Sequence, residues 1–192
     1  MAETTVHPAH QAGLLYTIGH SNRSLDNLID VLLVYGIQQL IDVRSHPGSR
    51  RFPLFNRNDL NLALAEEGIT YSWFGHELGG LRRARPDSPH IALPAGFRAY
   101  ADHMCSNAFQ VAIKHLMSLA RTKTMTMMCA ERDPYQCHRS LIADYLVFNH
   151  WRVVHLIDVN SPQEHTISPL ARNQNQLPIY DRLEQQQLDL SF

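Results

Sequence analysis

Five short apolar segments alternate along this chain with stretches of helical periodicity, and that alternation limits the fold more than any other feature. The apolar segments are 14–19, 39–44, 69–74, 124–128 and 153–158. Each has strand length and strand composition. Between the first two, Leu25, Leu28, Ile29, Leu32 and Leu33 recur at helical spacing. Ser24 suits an N-cap, Asp26 sits in the first turn, and Gly36 ends the run. Asn58 is placed to cap a second helix through Leu60, Leu64 and Ala65 that stops at Gly68. Phe97, Tyr100, Ala101 and Met104 form a further apolar face, and Phe109, Ala112, Ile113, Leu116 and Ala120 another. Asp133, Pro134 and Gln136 resemble a capping box that starts a helix running to about Asn149. The order β-α-β-α-β-α-β-α-β predicts a single α/β domain over 13–160, with a mostly parallel sheet of about five strands and helices on both faces.

The ends of the chain read differently. Residues 1–12 are polar, contain Pro8, and are expected to form a flexible tail. Residues 161–192 are polar and Gln-rich, an extension that Leu170, Leu177 and Ile179 would anchor in part. The net charge of −1 gives no global argument for a nucleic-acid or anionic membrane partner. No segment has the length of a membrane-spanning helix, and the first residues lack the charged and apolar regions of a signal peptide, so a cytoplasmic protein is expected. Three cysteines, Cys105, Cys129 and Cys137, are an odd number and do not suggest a disulfide scaffold.

Parallel sheets bind ligands at the carboxyl ends of their strands. Here those ends are rich in chemistry. The first strand leads into His20 and Ser21, the second ends in Asp42 and Arg44, and the third leads into His76 and Glu77. The fourth leads into Cys129, Glu131 and Arg132, and Cys137, His138 and Arg139 begin the next helix. Cys129, Glu131, Asp42 and Cys137 are the candidate catalytic groups. His20, Ser21, Arg44, His138, Arg139 and His76 are the candidate substrate-binding groups.

Each has a plainer reading. Asp42 and Arg44 could form a structural ion pair, His20 could cap a helix, and His76 could be a loop residue. Cys137 shares helical spacing with Leu141, Tyr145 and Phe148 and could be a small buried hydrophobe, while Cys105 has no polar company.

Thiolates form near cations and helix N-termini, so Cys129 or Cys137 could act as a nucleophile and should be alkylated before Cys105. Glu131 or Asp42 could transfer protons, or the two could act as a carboxylate pair. The helix start with Arg44 and Arg139 would suit a small anionic or nucleotide-like ligand. The loop 79–96 contains Arg82, Arg83 and Arg85 and is long enough to cover such a site, with Arg82 or Arg83 facing inward.

Known templates fit poorly. Position 135 is Tyr, and no Gly lies between Cys129 and Arg139, unlike a phosphatase or sulfurtransferase loop. C-x-x-C and nucleotide-binding Gly motifs are absent. A zinc site from Cys129, Cys137, His138 and a distant His20 or His76 would match none of the common spacings, so no metal is expected and the cofactor is left open. A second reading is nucleic-acid binding through Arg50, Arg51, Arg82, Arg83 and Arg85 with Phe52, Phe55, Trp73 and Phe74. A third is a metal- or redox-sensing module.

Five motifs, in order, resemble one bacterial family. They are Thr17-Ile18-Gly19-His20-Ser21, Asp42-Val43-Arg44 with Pro47 and Ser49, Leu78-Gly79-Gly80, Cys129-Ala130-Glu131, and Cys137-His138-Arg139. With His165-Thr166-Ile167-Ser168-Pro169-Leu170-Ala171 they are similar to the family numbered 488 among domains of unknown function, over roughly residues 14–180. The resemblance implies a compact cytoplasmic α/β protein with a shared site on the motif residues. It implies no particular activity.

Overall fold

A computed structural model describes residues 13–182. The tail expected at 1–12 lies outside the described residues. The central sheet is built from β1 (Leu14–Gly19), β2 (Gln39–Asp42), β3 (Thr70–Trp73), β4 (Met125–Cys129), β5 (Arg152–Leu156) and β6 (Pro162–Glu164). Its spatial order is β3-β2-β4-β1-β5-β6. The first five strands are parallel, and β6 adds an antiparallel edge to β5. The fold is therefore the mixed α/β architecture that the alternation implies, with six strands instead of five.

Helices cover both faces. α1 (Leu25–Val34) and α2 (Arg57–Glu66) pack Leu28, Val31, Leu32, Leu60 and Leu64 against Ile18, Leu40, Met128 and Val154. The other face carries α4 (Ala95–Met104), α5 (Asn107–Leu119) and α6 (Arg139–Phe148), with the short α3 (Gly75–Leu78) beside them. There Tyr100, Phe109, Ile113, Leu116, Leu141 and Ile142 meet Leu15, Ile41, Met125 and Met127. Successive strand residues point to opposite faces, so Met127 and Met128 enter different cores. No helix among the described residues is long and apolar enough to cross a membrane.

Several boundaries differ from the sequence reading for local reasons. Ser24 caps α1 as expected, accepting from the Asn27 N–H. α2 starts two residues earlier than expected, with Asn56 rather than Asn58 at the cap position. The Asn56 side chain is engaged elsewhere, accepting from the Ser49 N–H at 2.6 Å. β2 ends at Asp42 because the Asp42 carboxylate accepts from the Arg44 N–H at 3.0 Å and turns the chain out of the ladder. Asp133 caps only a 3₁₀ turn, Pro134–Gln136, and Cys137 follows in extended conformation. α6 begins after His138, so Cys137 lies outside the first helical turn in which it was expected.

Within its described residues, 161–182, the C-terminal segment carries regular structure. β7 (Ala171–Gln174) and β8 (Leu177–Tyr180) form a hairpin, and Tyr180 is fully buried. A buried polar chain ties this segment to the domain. Thr17 Oγ1 lies 2.6 Å from His155 Nδ1, and His155 Nε2 lies 2.9 Å from His165 Nδ1. His165 Nε2 lies 2.8 Å from an Asp144 oxygen, whose other oxygen accepts from the Tyr180 hydroxyl at 2.8 Å. One direction of donation satisfies every member: the Thr17 hydroxyl to His155, His155 to His165, and His165 with Tyr180 to Asp144.

Candidate functional site

The connections fix where a crevice opens. β1 and β4 are neighbours, but the helix after β1 lies on one face and the helix after β4 on the other. Adjacent strands whose helices diverge form a topological switch point. At their carboxyl ends the two chains stay paired for two more residues: the His20 N–H donates to the Cys129 carbonyl at 3.0 Å and the Ser21 N–H to the Ala130 carbonyl at 2.7 Å. Gly19 is required here, since a Cβ would lie 1.8 Å from the Glu131 carbonyl oxygen.

A cavity of about 370 Å³ opens at this edge. Its wall includes Arg44, His46, Cys129, Glu131, Cys137 and His138, together with Leu81 and Phe97. The Cys129 thiol donates to Glu131 Oε2 at 3.1 Å. His138 Nδ1 faces both sulfurs, 3.8 Å from Cys129 and 3.6 Å from Cys137. The partner thiol of Cys137 and burial push the Cys129 thiol well above its usual pKa, and His138 offsets this only in part. Burial works to raise the Glu131 carboxyl, but hydrogen bonds from Cys129, its own backbone and Cys137, with the nearby His138, outweigh it and leave it below its usual value. At rest the proton therefore sits on sulfur. The expected low-pKa thiol at Cys129 is not what these surroundings produce, and both thiols are buried while Cys105 is exposed.

Asp42 and Arg44 take the structural reading. Asp42 is fully buried and receives Arg44 Nε at 2.9 Å, Arg44 Nη2 at 2.6 Å and the Tyr71 hydroxyl at 2.7 Å. Its oxygens are taken up by the scaffold, and it does not line the cavity that Glu131 lines. Arg44 reaches on to the Phe55 carbonyl at 2.8 Å and to His20 Nε2 at 3.2 Å. The His20 ring stacks on Phe55 and donates through Nδ1 to the Ser21 carbonyl. Burial, with the Arg44 guanidinium, lowers its pKa to about 4 and keeps it neutral. His20 thus braces Arg44, beneath the cavity wall.

Other expected positions are reassigned. Arg139 is fully buried and donates to the carbonyls of Glu131 and Arg132. It holds the turn that carries Glu131 and is not a ligand-facing cation. The Ser21 hydroxyl turns to Asn22. His76 is exposed beside Glu77, outside the cavity. The two ends of the 79–96 loop do wall the cavity through Gly80, Leu81 and Gly96. Arg82, however, points away, donating to the Gly79 and His76 carbonyls. In the proposed basic aromatic face, Phe55 is buried, Arg51 lies over Phe52, Arg57 lies over Trp73, and Arg85 pairs with Asp87.

Sequence reasoning missed His46, Phe97 and Tyr100. His46 and Phe97 line the cavity. The Tyr100 ring lies 4.8 Å from that of His138. Phe97 and Tyr100 read only as an apolar helix face, and His46 sits in an irregular segment. Gly80 in the Leu78-Gly79-Gly80 motif has a direct cause, because a Cβ there would lie 2.7 Å from His138 Nδ1.

The fold and site together define a parallel α/β protein with a thiol, carboxylate and imidazole cluster at its switch point. The chain belongs to the family described as domain of unknown function DUF488, whose model matches residues 24–146. No curated protein and no solved structure matched the chain.

Proposed function

We propose that this protein is an enzyme that binds a small anionic or nucleotide-like substrate in the switch-point cavity and carries out hydrolysis or group transfer there. The observation behind this reading is the convergence of Cys129, Glu131, Cys137 and His138 on one wall of a cavity at the carboxyl edge of a parallel sheet. Four reactive groups from a strand end, a turn and a helix start share one small volume. Glu131 is the proton acceptor, because it already takes a hydrogen bond from a thiol and is held by a backbone turn that Arg139 fixes. His138 presents an imidazole nitrogen to both thiols in the same wall. His46 in the same wall favours an anion, and Phe97 and Leu81 provide an apolar surface for a ring or a chain.

Titration calorimetry with inorganic phosphate, AMP and ribose 5-phosphate tests the binding half of the proposal. Saturable binding of at least one ligand is expected, with loss of that binding in Phe97→Glu, which puts a negative charge into the cavity wall. Absence of binding for all three, or binding that Phe97→Glu leaves unchanged, would remove the anionic-substrate reading.

A further inference from the structure

We infer that Cys129, Cys137 and His138 form a binding site for a zinc ion, with a fourth coordination position open to the cavity and adjacent to Glu131. The three donor atoms lie within 4.8 Å of one another. Tetrahedral zinc, with bonds of about 2.3 Å to sulfur and about 2.0–2.1 Å to nitrogen, sets a sulfur-to-nitrogen edge of roughly 3.6 Å. The observed edges are 3.6 Å from Cys137 and 3.8 Å from Cys129 to His138 Nδ1. Two of the three edges of a tetrahedral zinc face are therefore present in the resting side-chain positions, and the two sulfurs lie within 4.8 Å of each other.

The spacing is unusual because two of the ligands are adjacent in sequence, and the backbone accounts for it. In a continuous strand or helix, side chains at adjacent positions diverge. Here Cys137 is extended (φ −136°, ψ 146°) and His138 is helical (φ −55°, ψ −18°). That switch at the start of α6 turns both toward Cys129 at the end of β4. Sequence templates assume ligand pairs on a knuckle or on one helix face, so they pass over this arrangement.

A second observation is independent of the thiols. His138 Nε2 is buried with no hydrogen-bond partner among the described residues, and Nδ1 has only the two sulfurs, which are weak hydrogen-bond partners. A half-buried imidazole so poorly satisfied calls for an ion or a water at one nitrogen. Zinc at Nδ1 gives that nitrogen a strong partner and fixes the tautomer, leaving the proton on Nε2. Gly80 keeps the approach to Nδ1 clear.

The binding step balances simply. Zn²⁺ joins the chain as both thiols lose their protons, giving two thiolate bonds, one imidazole bond and two protons released to buffer. Three protein ligands and one open position are the arrangement of catalytic rather than structural zinc. A water in the fourth position would have Glu131 as its proton acceptor, which deepens the enzyme reading above. The metal site itself rests on the side-chain geometry and does not depend on turnover.

The test uses the full chain, purified reduced and without a polyhistidine tag, stripped with chelator, and titrated with Zn²⁺ against a chromophoric competitor. One equivalent per chain is expected, with release of protons into weak buffer. Cys129→Ser and Cys137→Ser should each weaken binding by at least about 100-fold, since loss of an outer-shell partner alone costs 10–100-fold. Cys105→Ser and Glu131→Gln should retain the stoichiometry, and loss of zinc in Glu131→Gln would overturn the open fourth position. Cobalt substitution in the unmutated chain covers variants that fail to fold, because thiolate-to-cobalt charge transfer reports sulfur ligation directly. No stoichiometric uptake by the reduced chain, uptake indifferent to both cysteine variants, or a cobalt spectrum without thiolate charge transfer would overturn the site. Metal content and ligand calorimetry are read separately, so failure here leaves the enzyme reading standing, and the reverse also holds.

Discussion

Asp42→Asn is the most informative perturbation of the scaffold beneath the site. The substitution keeps the size of the side chain and one carbonyl acceptor for Tyr71, but removes the charge. Asp42 is 0% exposed and Arg44 7%, so water cannot replace the lost carboxylate. The Arg44 guanidinium, held at 2.6 Å from Asp42, would remain buried with only the Phe55 carbonyl and the His20 nitrogen. Breaking a buried pair by removing one partner costs about 3–5 kcal/mol. For a domain of this size that corresponds to a fall in Tm of about 6–20 °C, taking about 2–4 °C per kcal/mol. Urea denaturation of the wild type, Asp42→Asn, Arg44→Leu and the double variant gives the full cycle. The double variant should be less destabilised than the sum of the singles, because it leaves no uncompensated charge. A loss below about 1 kcal/mol in Asp42→Asn, or strict additivity, would refute the assignment of Asp42 as a structural anchor.

Three further outcomes are expected. His20 is lowered to about 4 by burial and Arg44, and His155 to about 3 by burial and His165. Both bind protons more readily when unfolded, so stability is complete above about pH 7 and falls as pH drops through 6.5 toward 3, by about 2 kcal/mol for each group at pH 5. Denaturation midpoints across pH 4–8 should show this fall, and a flat profile would contradict it. Gly80→Ala should fold but displace His138, shifting the His138 ring resonances and weakening zinc uptake, whereas unchanged resonances would mean that the close approach is unimportant. Iodoacetamide at neutral pH should label the exposed Cys105 first, with Cys129 and Cys137 reacting on unfolding; rapid native labelling of either buried thiol would contradict the described burial.

The last outcome reverses the order that the sequence suggests, and the reason is general. Basic neighbours in sequence say where charge is available, not where it points. His138 does reach the sulfurs, but Arg139 turns inward to backbone carbonyls and Cys137 precedes the helix. The strand segments were legible because each was an apolar run between turn residues. Their carboxyl-edge residues were legible because parallel topology sends those ends the same way. His76 failed that rule because α3 intervenes after β3 and carries it out to solvent. Asp42 was correctly located, but its role depended on Tyr71 from a neighbouring strand, a pairing that no local pattern encodes. The buried chain from Thr17 to Tyr180 was hidden for the same reason: its hydrogen-bonded partners are up to 138 residues apart.

Comparative metabolite profiling tests the central claim, that the switch-point cluster is catalytic. Wild type and Glu131→Gln, both shown to be folded, would be incubated with a small-molecule cell extract supplemented with zinc and followed by mass spectrometry. The account predicts that wild type depletes at least one small anionic metabolite and accumulates its product, while Glu131→Gln leaves it intact. Identical profiles for the two proteins would contradict it.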